Sequence, residues 1–181
     1  MSAQNNHPLL CHPAGRCPPG GTVEVAVAFS EEGGLQLRYR VAVAQLRIPA
    51  PQAAGPADGL WQHSCCEAFV GTDGAAYREF NFSPSGQWAA YGFSAYRQRD
   101  ETFLPSFAPQ LSFVRTASGF ELLVVLDREL LPAGERLDLG LCVVLEDDDG
   151  NKTYWALAHG AAQPDFHLRQ SFSLPLKAVQ S

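Results

Sequence analysis

The feature that most constrains this chain is a two-residue period of apolar side chains, which is most regular in residues 35–43. There Gln36, Arg38 and Arg40 separate the apolar positions, a pattern that predicts a strand with one face in a core. A helical turn is predicted at 127–131, capped by Asp127 and stopped by Pro132. Similar alternation between turn residues predicts strands at about 23–29, 35–43, 64–70, 77–83, 87–94, 111–117, 120–127, 137–145, 153–159 and 170–176.

These patterns predict an all-β fold, an antiparallel two-sheet β-sandwich of about ten strands with very little helix. Two long loops, residues 49–59 and 97–110, connect the strands, and the first has three prolines that should keep it outside the sheets. Residues 1–21 are rich in Pro, Gly and Asn and are predicted to form an irregular lead-in. Residues 22–178 are predicted to form a single domain.

Charge and cysteine content narrow the classes of partner and the compartment. The net charge is −6 and the only lysines are Lys152 and Lys177, so we expect no nucleic-acid partner. The sequence has no apolar run of 18 residues, and its N-terminal segment lacks the pattern of a secretory signal, so we expect a cytoplasmic protein that does not span a membrane. The five cysteines are expected to be mostly reduced thiols, with pairing of Cys11 and Cys17 left open.

The segment 60–97 departs from ordinary strand composition, because one face of its predicted strands carries acidic, amide and aromatic side chains. This face would suit a ligand that has hydroxyl groups and a flat apolar side. The residues that share it are Cys65, Glu67 and Phe69 on one strand and Tyr77, Glu79 and Asn81 on the next.

Three segments, LWQHSCCEAFVG, YREFNFSPSGQW and YWALAHGAAQPDFH, resemble the DOMON-like domains related to family 9 carbohydrate-binding modules. The closest likeness is to the compact bacterial single-domain members, which combine a Trp, a Glu six residues later and an aromatic–Glu–Phe–Asn strand. The resemblance extends from Val23 to the last predicted strand. It implies a jelly-roll-like sandwich of ten or eleven strands.

The resemblance also implies a site. In the sugar-binding relatives two Trp rings enclose a sugar, while a Glu and an Arg bind its hydroxyl groups. Trp61 and Glu67 match the first Trp and the Glu, whereas Asn81 stands where the relatives have Arg. Phe166 or His167 lies near the position of the second Trp. With Glu79, which shares the face, the predicted ligand-binding residues are Trp61, Glu67, Glu79, Asn81, Phe166 and His167.

We therefore predict a non-catalytic binding domain for a small saccharide, without a cofactor. A haem or metal redox module using His159 and His167 is an alternative, although Met1 is the only methionine and a Met-ligated haem is excluded. Glu67 and Glu79 also fit the acid and nucleophile pair of a glycosidase. A protein-interaction domain without a small ligand is a further possibility, and the oligomeric state is left open.

Simpler interpretations of the same residues also stay open. Trp61 can plug the end of the sandwich, and the two glutamates can pair with arginines inside the fold. The acidic segment 147–151 has the oxygen-rich composition of a calcium loop but lacks its bidentate Glu, so a solvated hairpin turn is predicted there. Cys65 or Cys66 beside His63 would suit a nucleophile, although no triad pattern accompanies them.

Overall fold

The computed structural model describes residues 5–177, which form two β-sheets packed face to face as a sandwich. The strands are β1 (Asn5–Pro8), β2 (Leu10–Cys11), β3 (Thr22–Phe29), β4 (Leu35–Ala42), β5 (Gly55–Pro56), β6 (Cys65–Gly71), β7 (Tyr77–Phe82), β8 (Gln87–Ala95), β9 (Gln98–Asp100), β10 (Gln110–Thr116), β11 (Gly119–Leu126), β12 (Arg136–Glu146), β13 (Lys152–Ala156) and β14 (Leu174–Lys177). Short 3₁₀ turns occupy Leu60–Gln62, Arg128–Leu130 and Arg169–Ser171.

The smaller sheet has the strand order β1-β3-β4-β11-β10, and the larger has the order β2-β13-β12-β6-β7-β8-β5. In the larger sheet β14 also pairs with β12, and β9 pairs with β8. The pairing is antiparallel except between β5 and β8, which run parallel. Strands β12, β6, β7 and β8 therefore lie side by side in the middle of the larger sheet.

The core lies between the sheets and follows the two-residue period of the sequence. On β4 the buried residues are Leu35, Leu37, Tyr39 and Val41, which alternate with partly exposed polar ones. The Tyr39 hydroxyl crosses the core and donates a 2.8 Å hydrogen bond to the carbonyl oxygen of Glu67 on β6. This bond ties the middle of the larger sheet to the opposite layer.

The fold class predicted from the sequence is confirmed, and most strands lie within two residues of their predicted bounds. The helical turn is present at Arg128–Leu130, where the Asp127 side chain accepts a hydrogen bond from the backbone N–H of Glu129. The predicted strand 153–159 ends early, at Ala156. Residues 170–173 are not extended, because the turn Arg169–Ser171 delays the last strand until Leu174.

The remaining differences are short edge strands that the sequence pattern did not predict. Residues 5–11, expected to be irregular, supply β1 and β2, and the 97–110 loop contains β9. The 49–59 loop was predicted to lie outside the sheets, yet Gly55–Pro56 pairs with β8. Pro56 is tolerated because β5 is an edge strand, where a missing N–H leaves no partner unsatisfied. Such strands are held by backbone pairing and need no alternation of side chains.

Cys11 and Cys17 form a disulfide, whereas Cys65, Cys66 and Cys142 are buried free thiols. Three of the five cysteines are therefore reduced, as expected, and the pairing of Cys11 with Cys17, which the sequence left open, is present. Disulfides are typical of oxidising compartments, so this pair weighs against the cysteine argument for a cytoplasmic location, which stays a prediction. Within residues 5–177, no helix has the length and apolar character needed to cross a membrane.

Candidate functional site

A cleft of about 440 Å³ lies on the face of the larger sheet that points away from the sandwich core. Its size is within the range of small-molecule sites. Its floor follows from strand alternation, because the residues between the inward-facing Cys66, Ala68 and Val70 must point outward. Two rows of paired residues run across this face: Gly140, Phe69, Glu79 and Tyr91 form one, and Cys142, Glu67, Asn81 and Ala89 form the other.

The cleft combines aromatic rings with charged groups. The aromatic side chains that line it are Trp61, Phe69, Tyr91, Phe93, Tyr154 and Phe166. The ionisable groups are Glu67, Glu79, Arg97, Arg99, Asp165 and His167, and Val144 and Pro164 complete the wall. Flat apolar faces beside hydrogen-bonding groups can bind a molecule that is itself apolar on its faces and polar at its edges.

Trp61 lies at the mouth of the cleft, with 41% of its surface exposed. Its ring is 6.2 Å from that of Tyr91, in an edge-to-face arrangement. The short turn Leu60–Gln62 carries it, and this turn begins after Gly59, whose φ of 73° favours glycine. The next residue, His63, is fixed by a 2.6 Å contact between its Nδ1 and the Glu146 carboxylate.

Glu67 lies on the floor of the cleft with only 3% of its surface exposed. Its Oε1 is buried and has no hydrogen-bond partner among residues 5–177. Burial raises the pKa of this carboxyl well above its usual range, and the nearby Glu79 raises it further. A buried polar atom without a partner is costly, so the Glu67 carboxyl is the less satisfied of the two glutamates in the cleft.

Glu79 is better satisfied than Glu67. Its Oε1 accepts a 2.9 Å hydrogen bond from Nδ2 of Asn81, and its Oε2 is 3.7 Å from Nε2 of His167. Burial raises the pKa of Glu79, while the Asn81 bond and the arginines Arg97 and Arg99 lower it in part. Asn81 is itself fully buried and is not part of the cleft wall. Its observed contact with the site is the hydrogen bond that positions the Glu79 carboxylate.

His167 is held by a relay of hydrogen bonds that fixes its tautomer. The Tyr77 hydroxyl accepts a 3.1 Å bond from the backbone N–H of Arg97 and lies 2.8 Å from Nδ1 of His167. Nδ1 of His167 is the only acceptor for the hydroxyl proton in the described part of the chain, so the hydroxyl donates to Nδ1. The imidazole proton is then on Nε2, which is directed toward Glu79.

The protonation of His167 provides a pH test. Burial, assisted by the charge of Arg97, lowers the pKa of His167 to about 4, against about 6.5 in an unfolded chain. Between these values the unfolded state binds more protons, so the stability that neutral His167 contributes is lost as the pH falls from about 6.5 to about 4. We expect wild type to lose more stability than His167→Gln between pH 7 and 4.5, as measured by urea unfolding. Equal losses would contradict this assignment.

Two arginines in the cleft were not predicted. The resemblance placed Asn81 where the relatives have Arg, but Arg97 and Arg99 reach the cleft from the turn between β8 and β9 and from β9 itself. Arg97 adopts a φ of 55°, in the left-handed region, and binds Asp165 at 2.9 Å. The guanidinium carbon of Arg99 lies 3.7 Å from the centre of the Tyr91 ring. The alternation of Arg97 and Arg99 in a polar segment was the available signal.

Five of the six predicted site residues line the cleft, and the sixth, Asn81, lies behind Glu79. The five are Trp61, Glu67, Glu79, Phe166 and His167. The ligand-binding role of all six stays a prediction. Asp165, beside Phe166, accepts hydrogen bonds from Tyr96 and Arg97 and thereby fastens the segment 164–167 over the sheet.

The residues that suggested a haem site, a calcium loop or a cysteine nucleophile are bonded to other groups or buried. His159 does not line the cleft, and its Nε2 is bonded to the Leu10 carbonyl at 2.7 Å, so it is directed differently from His167. Asp147 accepts bonds from the backbone N–H groups of Asp149 and Asn151, as expected for a closed hairpin turn. Burial raises the pKa of Cys65, Cys66 and Cys142 well above the usual thiol range, which disfavours the reactive thiolate.

No model of a known protein family matches the sequence, and no curated protein is significantly similar to it. Solved structures with the same fold are nevertheless found. A proposed carbohydrate-binding protein from Bacteroides uniformis superposes with a TM-score of 0.65 at 16% identity, over 96% of this chain and 86% of that one.

Two structures of a family 9 carbohydrate-binding module from Caldicellulosiruptor kristjanssonii also match. The complex with glucose has a TM-score of 0.64 at 8% identity, over 93% of this chain and 82% of that one. The complex with cellotriose has a TM-score of 0.60 at 9% identity, over 93% and 80%. At these identities the likeness concerns the fold.

Proposed function

We propose that this protein binds a saccharide in the cleft and carries out no reaction on it. The observation that carries the proposal is the Glu67 carboxyl group, whose Oε1 is buried and unpartnered among the described residues, in a cleft lined by aromatic rings. Trp61 stacks on the C–H face of a sugar ring, and Glu67 accepts hydrogen bonds from its hydroxyl groups. Arg97 and Arg99 donate to sugar oxygens, as the arginine of the resembling relatives does.

The fold comparisons support a saccharide as the ligand class, because the module from Caldicellulosiruptor kristjanssonii is in complex with glucose and with cellotriose. The proposal extends to a DOMON-like single domain of bacterial type that works in the cytoplasm on a soluble saccharide, without a cofactor. Neither nucleic acid nor a membrane is a proposed partner.

The fold comparisons support binding without hydrolysis, because the solved neighbours are a proposed carbohydrate-binding protein and carbohydrate-binding modules. Glycoside hydrolysis needs one carboxyl group that stays ionised as nucleophile or base beside one that is protonated. In this cleft burial raises the pKa of both Glu67 and Glu79, and the Asn81 bond and the two arginines lower it in part only at Glu79. A difference of this kind is required for hydrolysis but does not by itself produce it, and hydrogen bonding to a sugar does not need it.

Trp61→Ala is expected to weaken binding of the preferred saccharide about 10-fold, because the stacking face is lost. The free energy of unfolding should fall by about 1 kcal/mol, since more than half of the Trp61 surface is buried and its ring packs against Tyr91. The measurement is isothermal titration of wild type and variant with a panel of mono- and disaccharides.

Phe107→Ala is the matched control, because Phe107 is an aromatic residue of similar exposure, 45%, that is not part of the cleft wall. It should bind like wild type. The proposed function is rejected if the panel gives no binding at all, or if Trp61→Ala and wild type bind every saccharide equally well.

A further inference from the structure

A second cleft, of about 540 Å³, lies beside the first along β8. We call it the outer cleft. Its main side chains are Asp58, Trp88, Glu101, Phe103 and Leu104, and it shares Tyr91 and Arg99 with the first cleft. Each cleft is large enough for a small-molecule ligand by itself. The two clefts therefore adjoin at Tyr91 and Arg99.

The shared residues form a junction that suits a polar, ring-containing ligand. The Arg99 guanidinium is stacked on the Tyr91 ring, and the Tyr91 hydroxyl donates a 2.6 Å hydrogen bond to Asp58. Among residues 5–177 the Arg99 side chain makes no hydrogen bond and no ion pair, although its five N–H donors are at the boundary of the two clefts. The Tyr91 side chain is therefore held in place, while the N–H groups of Arg99 are available to donate hydrogen bonds to a ligand.

The outer cleft also combines apolar and acidic side chains. Leu104 is 80% exposed and provides an apolar surface, and Asp58 and Glu101 supply carboxylates in the same cleft. Its wall is already ordered: Asp100 Oδ1 accepts hydrogen bonds from the backbone N–H and the hydroxyl of Thr102. Phe103 lies directly on Gly92, where an added Cβ would come within 2.6 Å of the Phe103 Cβ. These contacts hold residues 100–103 against β8.

We propose that the ligand is an oligosaccharide of two or more units that occupies both clefts and passes across Arg99 and Tyr91. This inference rests on the proposed saccharide function of the first cleft and adds the size of the ligand and a second subsite. Trp61 and Glu67 hold one sugar unit, Arg99 binds oxygens at the linkage, and Leu104 and Glu101 contact the next unit.

The test is isothermal titration with three matched pairs: glucose and cellotriose, mannose and mannotriose, and N-acetylglucosamine and chitotriose. We expect the trisaccharide of at least one pair to bind about 10-fold more tightly than its monosaccharide, because a second unit gains contacts in the outer cleft. The double variant Leu104→Ser/Glu101→Gln changes two exposed residues and should fold like wild type. It should remove most of this gain and leave the monosaccharide affinity unchanged.

The outcomes separate the inference from the proposed function. If monosaccharides bind and depend on Trp61, but trisaccharides bind no more tightly, the outer cleft is not a subsite and only the inference fails. A gain that survives in the Leu104→Ser/Glu101→Gln variant also overturns the inference, because the added units then lie elsewhere. If no saccharide binds, both the inference and the proposed function fail, and the exposed Leu104 would instead suit contact with another protein.

Discussion

Glu67→Gln is expected to weaken saccharide binding by about 10- to 100-fold without lowering the free energy of unfolding. Burial disfavours the ionised form of Glu67 in the free protein, and the hydroxyl donors of a bound sugar favour it again. Hydrogen bonds to a charged acceptor contribute about 1.5–3 kcal/mol each, and a neutral amide oxygen is a weaker acceptor than a carboxylate. The fold should not be destabilised, because Oε1 of the buried Glu67 carboxyl has no hydrogen-bond partner among the described residues that the substitution could remove. Removal of a buried ionisable group can even increase stability.

Glu121→Gln is the control for this substitution. Glu121 is on the smaller sheet, remote from the cleft, and is paired with Arg38 at 2.7 Å and with Arg40 at 3.0 Å. Its change should leave saccharide affinity intact and reduce stability slightly, by less than about 1 kcal/mol for partly exposed pairs. Calorimetry and urea unfolding of both variants give the comparison. A Glu67→Gln protein that is strongly destabilised and still binds sugar would show that Glu67 has a structural role.

Tyr77→Ala is expected to reduce the free energy of unfolding by about 3–5 kcal/mol, a large part of the stability of a domain of this size. The Tyr77 ring is buried against Phe93, Phe69 and Phe172, with a centroid distance of 4.8 Å to the stacked Phe93. This cluster lies on the outer face of the larger sheet and supports the segment that carries His167 over the cleft.

Tyr77→Phe separates the ring from its hydroxyl. The ring packing is kept, but Nδ1 of His167 and the backbone N–H of Arg97 lose their common partner. We expect a loss of about 1–3 kcal/mol in stability and a fall in sugar affinity, because both residues line the cleft. Urea unfolding and titration calorimetry measure the two effects. Unchanged values for Tyr77→Phe in both experiments would contradict the hydrogen-bond relay.

Alternation of side chains explains why much of the site could be predicted from the sequence. Residues two apart on a strand share a face, so Glu67 and Phe69 had to point together, as did Tyr77 and Glu79. The same rule does not show which residues on a face reach an open space. Asn81 shares the face of Glu79 and is nevertheless covered, whereas Glu79 is part of the cleft wall.

The contributions from loops could not be predicted, because they depend on contacts between distant segments. Arg97 reaches the cleft through a left-handed backbone conformation that the Tyr77 hydroxyl stabilises from another strand. The outer cleft requires Phe103 to fold back onto Gly92. Pairing of Cys11 with Cys17 likewise depends on the backbone path of the lead-in, where β2 joins the edge of the larger sheet.

The most direct test of the central claim is a crystal structure of the protein with the saccharide that binds most tightly in calorimetry. We predict a sugar ring stacked on Trp61, with one hydroxyl oxygen about 2.6–3.2 Å from an oxygen of the Glu67 carboxyl group. A sugar bound outside the cleft, or bound in it without a contact to the Glu67 carboxyl group, would contradict the account.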